Sequence, residues 1–539
     1  MKFQKLFALI TCAAVAVSMS SCNNSSSSGS ATTTAPTTVP VETPVEVEKP
    51  ADIGKMSFGT AFYKPRMGAV LYNVDISSLP EHEKLVARCV QGLVSRNDSA
   101  QIYLSENSND AFWLNRLKDE YGIIVKNLAA DSLCDKFADH IKNIFVYDDT
   151  DKYAAAAAVY QASLQDSIAV PRDKAEKYAK FAKSELTVTE ASSTQATTAA
   201  AKADGEQQAE KAKQMYAAVV SPDCKFVDYL YALGAPVIFA NAKNQTDINR
   251  VKTLLSGEFE KPAVLFCEDS SFIDIASENG FGVLKISGFS NATCFSSFSN
   301  SDVSSGSANG TSRYSDEIEK YVSIEICGDN VALGDNLSYI FKNSRRGSAP
   351  VTVELSPALC ELAPPIASWY AAGRRTATSI SADSLGYMSV NPAKMKNEYL
   401  ETYYERSKAF ISAAGLSVLN ASLDEKSAAA ASSALGGKNI IGAENNGINV
   451  IKVDSIYNFK DYKLPDSDSP FYCIKIKAGD ITTSTFQQLE NLVLKIQEAN
   501  ENTEFMLCED LFPTVSERLQ TIAQTTTAAT TAAQTTAKK

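Results

Sequence analysis

Acidic and amide residues gather at the ends of apolar runs in the last third of the chain. The run 321–327 is followed by Gly328-Asp329-Asn330 and Gly334-Asp335-Asn336, the run 351–355 carries Glu354, and the run 377–382 stops at Asp383. Asn420, Glu444, Asp454, Glu509 and Asp510 stand at or just after comparable runs. Two carboxyl groups roughly 5–9.5 Å apart suffice for glycoside hydrolysis, one giving a proton and the other serving as base or nucleophile. Asp335 leads as the acid/base or nucleophile, with Asp329, Glu354 or Asp383 as its partner. Asn330, Asn336, Gly386, Tyr387 and Glu444 are the substrate-binding candidates. The competing reading is structural, because Asp and Asn after strands also form turns and cap helices.

Other chemistries find fewer of the groups they need. His82 and His140 are the two histidines, and both stand in an earlier segment, so a Ser-His-Asp triad here lacks its base. No C-x-x-C spacing occurs among the 11 cysteines, and neither Gly-Asp-Asn triplet follows the calcium-loop pattern. No metal and no cofactor is expected. A net charge of −12 gives no basic footprint for nucleic acid and fits a neutral or weakly charged substrate.

The elements that must position those acids follow a strand–helix rhythm. After the three runs above come β-type runs at 416–420, 439–442, 449–453, 471–476 and 504–508, with helical patterns at 359–370, 394–414 and 485–499. About eight strands in alternation predict a C-terminal (β/α)8-type barrel over 316–522, with its site at the carboxyl ends of the strands. The link 443–448 is too short for a parallel crossover, and Asn446-Gly447 is a hairpin signal, so the barrel is expected to be irregular there.

Upstream, strands alternating with helices predict two N-terminal α/β, Rossmann-like domains, 54–185 and 215–315, separated by a low-complexity insertion at 186–214. Trp113 falls on a helix beside Leu114 and Leu117 and reads as core. The first 22 residues read as a lipoprotein signal peptide: Lys2 and Lys5, an apolar run 6–17, then Met19-Ser20-Ser21-Cys22, with Cys22 as the lipidated residue. A Ser/Thr/Pro stretch, 23–53, is expected to be a disordered linker, and the Thr/Ala tail, 523–539, is expected not to fold. The expected location is extracytoplasmic, at the bacterial cell surface, held to the membrane through Cys22.

Several of these residues resemble the GxGYxYP glycoside hydrolase family. The segment Glu83 to Arg96, the Gln101-Ile-Tyr-Leu run, the Trp113 helix and Gly288-Phe-Ser-Asn291 match its style. Its Asp-Gly-Asp-Asn motif is best matched by Leu333-Gly334-Asp335-Asn336, and its namesake motif falls on Ser384-Leu385-Gly386-Tyr387-Met388-Ser389-Val390. The resemblance implies a barrel enzyme acting on carbohydrate. Leu333 stands where the family has its first Asp, and Ser384, Ser389 and Val390 replace a Gly, a Tyr and the Pro. Had that Asp been the proton donor, this member would bind sugar without cleaving it; Asp329 is the nearby substitute.

Overall fold

The structure is a computed structural model. It describes residues 59, 61–97, 100–183, 185–188, 215–299, 310–327, 341–342, 348–373, 378–382, 386–416, 418–423, 425–436, 439–443, 447–453, 462–477 and 485–536. Four parallel sheets follow one another along the chain. Strands β1 (Val70–Asp75), β2 (Gln101–Ser105) and β3 (Ile124–Leu128) form the first, in the order β2-β1-β3. The second holds β4 (Ile144–Tyr147), β5 (Ile168–Pro171) and β6 (Glu185–Thr187), ordered β5-β4-β6. The third holds β7 (Tyr216–Val220), β8 (Val237–Phe239), β9 (Ala263–Cys267) and β10 (Phe281–Lys285), ordered β10-β9-β7-β8. The segment 54–185 thus carries two small sheets instead of one. Short strands buried on both faces (β5 and β7 are buried throughout) require helices on either side, which the intervening segments supply.

Eight strands make the last sheet: β11 (Lys320–Cys327), β12 (Val351–Leu355), β13 (Thr378–Ala382), β14 (Val418–Leu423), β15 (Asn439–Ala443), β16 (Ile448–Val453), β17 (Phe471–Lys477) and β18 (Thr503–Met506). The path is β15-β14-β13-β12-β11-β17-β16, with β18 paired to the first half of β11, and every ladder is parallel. No ladder joins β15 to β16 among the described residues, so the sheet is open where irregularity was expected. The antiparallel pairing that a hairpin would need is not seen: β15 and β16 share no ladder among the described residues, and β16 pairs in parallel with β17. Chain connectivity nevertheless forces curvature. Ala443 and Ile448 are five Cα steps apart, ~19 Å at most, whereas six strand spacings on a flat sheet would hold them ~29 Å apart.

The helix Cys508–Thr536 runs through most of the Thr/Ala stretch that was expected not to fold. Its first turns are anchored by buried Cys508 and Leu511, and once a helix is nucleated each further residue adds one hydrogen bond, which an Ala-rich sequence accepts readily. Trp113 is core as expected, 3% exposed and edge-on to Trp369.

The segment entering the fold is clamped by Glu361, a fully buried carboxylate on the short helix Leu359–Leu362. It accepts from the Gly59 and Phe62 N–H groups, while the Tyr229 hydroxyl donates to the Tyr63 carbonyl. Burial pushes the Glu361 carboxyl up to about 7, against the pull of those N–H groups and of Lys64. A carboxyl raised in the folded state keeps its proton where the unfolded chain has lost it. Its contribution is therefore full below the unfolded value and disappears as pH rises through about 7. Thermal melts between pH 4.5 and 8 should show stability falling by about 3 kcal/mol from this group, and Glu361→Gln should flatten that slope.

Candidate functional site: a carboxylate–lysine cluster in the curled sheet

Alternation along β11 creates two unlike faces. Val322, Ile324 and Ile326 join the large core shared with the upstream sheets, whereas Tyr321 packs on the inner side with Phe471, Cys473, Met506, Cys508 and Leu511. Val418 of β14 and Ile448 of β16 belong to that inner cluster too. With a side-chain period of two, Ser323, Glu325 and Cys327 share the face of Tyr321. Above the apolar floor the inner face turns polar. The Cys508 N–H donates to Thr352 Oγ1 at 3.0 Å, and the Ser323 hydroxyl donates to the Tyr472 carbonyl.

Toward the carboxyl ends of the strands this polar layer becomes charged. Glu325 is the register partner of Lys475 on β17, with Nζ to Oε2 at 3.8 Å, and both are buried. Glu325 also pairs across β12 with Thr352, so Glu354, two residues further on, faces the same side. Glu354 is 4% exposed. Burial opposes the Lys475 charge, but Glu325 foremost, with Glu354 as a weaker contributor, holds it protonated, and its pKa lies above the ordinary lysine value. Two carboxylates on neighbouring strands one diagonal apart stand ~7–8 Å apart at Cβ. That spacing overlaps what acid–base or nucleophilic cleavage of a glycosidic bond uses.

Of the sequence candidates, Glu354 takes part in this cluster. Gly386 and Tyr387 do not line it and are corrected to packing roles. Tyr387 is fully buried, stacked on Phe410 at 4.5 Å between centroids and on Tyr403 at 5.9 Å. Gly386 presses against the helix Asn397–Ala413, where an added Cβ would overlap Ser407 and come within 2.9 Å of the Tyr403 hydroxyl. The next residues bridge to another sheet: Ser389 exchanges backbone hydrogen bonds with Val283 of β10 at 2.7 and 2.8 Å, and Asn391 bonds Ser277 and Asp274. The namesake segment is therefore a seam between the third and fourth sheets. Asp329, Asn330, Asp335, Asn336, Asp383, Glu444 and Cys22 lie outside the described residues. Sequence reading missed Glu325 and Lys475. The available signal was polar residues on one face of otherwise apolar strands (Ser323 and Glu325 on β11, Lys475 on β17), which a strand apolar on both faces would not carry.

Among the described residues no group of three or more His, Cys, Asp or Glu side chains is arranged to hold a metal ion. None of the nine cysteines described is in a disulfide, and eight of them are buried, as small hydrophobes would be. No described helix is long and apolar enough to cross a membrane.

The class that the structure defines is α/β, with parallel sheets and carboxylates on the inner face of the largest one. Comparison with known proteins gives that class a family. Residues 70–139 match the GxGYxYP_N first-domain model, and residues 319–448 match the model described as "GxGYxYP putative glycoside hydrolase C-terminal domain". Both matches support the GxGYxYP family for this chain. Its fold is shared with the crystal structure of a "putative hydrolase" from Bacteroides thetaiotaomicron VPI-5482, at TM-score 0.68 and 17% identity, over 87% of this chain and 99% of that one. No curated protein matches the chain.

Proposed function

We propose that this protein is a glycoside hydrolase whose eight-stranded sheet works as a barrel. Glu325 and Glu354 are its carboxyl pair, reached by a sugar only when the layer above them opens, and Lys475 holds the charge between them. The observation that carries this reading is the buried Glu325–Lys475 pair with Glu354 beside it, near the carboxyl ends of parallel strands, where such folds place their chemistry. Asp329 and Asp335 follow β11 directly in sequence and are candidates to complete the acid–base set. The lipobox-like Cys22 makes this an extracytoplasmic, membrane-tethered activity on carbohydrate. A panel of aryl glycosides and polysaccharides, assayed with wild type and with Glu354→Gln, tests it. The variant should lose at least a hundredfold in turnover, the scale of one general acid or base, with its melting curve retained. Unchanged turnover in Glu354→Gln removes that residue from the mechanism.

Leu333, at the place of the family's first motif Asp, favours a second reading: saturable sugar binding without cleavage. That reading expects calorimetric binding of a glycan and no turnover anywhere on the panel.

A further inference from the structure

Beneath the carboxylate–lysine layer two thiols meet. Cys473 of β17 is the register partner of Ser323 on β11, and β18 pairs with β11 so that Met506 stands opposite the same serine. Just past Met506 the chain turns into the helix Cys508–Thr536, and the Cys508 N–H is tied to Thr352 Oγ1 at 3.0 Å. Cys508 joins the same apolar floor as Cys473, and its thiol is in hydrogen-bond contact with the Cys473 thiol and the Ser323 hydroxyl. Neither cysteine has exposed surface. Packing as a small hydrophobe accounts for each cysteine singly. It does not account for two of them, from a strand and from a helix start, arriving sulfur to sulfur. Side chains whose sulfurs touch are already directed at each other, which is what a bridge requires of the backbone.

We infer that Cys473 and Cys508 are an oxidative modification site: they join as a disulfide that staples β17 to the start of the helix Cys508–Thr536, directly under Glu325 and Lys475. The oxidant is a low-molecular-weight disulfide. One protein thiol loses its proton and attacks a sulfur of that disulfide, which forms a mixed disulfide and releases one small thiol. The second protein thiol then attacks the mixed disulfide and releases the other. One S–S bond forms in the protein, which gives up two protons and two electrons, and the small disulfide is reduced to two thiols. Burial foremost, with Cys473 beside it, holds the Cys508 thiol well above the ordinary cysteine value, so thiolate is scarce while this layer is closed. Exchange therefore proceeds while the chain folds, or when the layer opens. In the extracytoplasmic setting proposed above such bridges persist. The inference stands apart from the glycoside hydrolase reading, because it needs no substrate.

Two samples of the full chain test it. One is reduced, unfolded and then refolded in a glutathione redox buffer; the other is treated with oxidised glutathione while folded. Remaining thiols are blocked by alkylation, and peptides are mapped by mass spectrometry without reductant. Most molecules of the refolded sample should yield a peptide pair linked through Cys473 and Cys508. Their melting temperature should exceed that of the reduced protein by about 5 °C or more, a difference that Cys473→Ala and Cys508→Ala should abolish. The wild-type map stands by itself where a variant does not fold. The linked pair in the refolded sample alone places oxidation in folding, and in both samples it places it in opening of the layer as well; either supports the bridge. Both cysteines alkylated throughout, glutathione retained on one of them, or a bridge from either to a different cysteine each overturns the inference and leaves two core thiols. A Cys473–Cys508 bridge that leaves the melting temperature unchanged overturns its role as a staple.

Discussion

Lys475→Met should lower the unfolding free energy by about 3–5 kcal/mol in chemical denaturation. That is the scale seen when one member of a buried ion pair is removed. The cause is less the lost attraction than what remains. Glu325 has no exposed surface and Glu354 very little, so both carboxylates would stay in a low-dielectric interior without the ammonium that offsets their desolvation. Adding Glu325→Gln in the same chain should restore most of the loss, since the pair would then be gone from both sides. A single variant within about 1 kcal/mol of wild type would show that water reaches this layer and that the cluster is not sealed.

Gly386→Ala should be the second large effect, about 3 kcal/mol of stability by thermal or urea unfolding. The new Cβ would overlap the Ser407 side chain on the helix Asn397–Ala413, and that helix cannot simply back away. Phe410 and Tyr403 sandwich Tyr387 from it, and the Tyr403 hydroxyl donates to the Met388 carbonyl at 2.6 Å. Relief therefore has to come from shifting the whole seam. A Ser407→Gly, Gly386→Ala double variant should recover a good part of the loss, because the overlapping atoms are removed from the other side. Full stability in Gly386→Ala alone would contradict this packing.

The strand–helix order was legible because buried parallel strands are written as short apolar runs. The runs 321–327, 351–355 and 471–476 all proved to be strands within a residue or so. The irregular place in the large sheet was legible as well, since a four-residue link cannot carry a crossover helix. Its meaning was not. The same Asn-Gly that advertises a hairpin falls in sequence between β15 and β16, which are the two end strands of one parallel sheet, a long-range outcome that local turn chemistry cannot foresee. The site was half legible. Glu354 drew notice through its position near a strand end, but Glu325 and Lys475 sit inside strands that read as plain core. Only their cross-strand register shows that they meet. Tyr387 misled for the opposite reason. A namesake motif invites a chemical role, and nothing in one sequence distinguishes a tyrosine that touches a ligand from one wedged between two other rings.

The seam at Ser389 bears on how this protein behaves in concentrated solution. β10 is the outermost strand of its sheet, and an unguarded parallel edge offers a row of amide donors and acceptors to any passing extended chain. By pairing antiparallel with Val283, Ser389 occupies the middle of that row from within the same molecule. The stretch for which the family is named thus also acts as a plug against self-association.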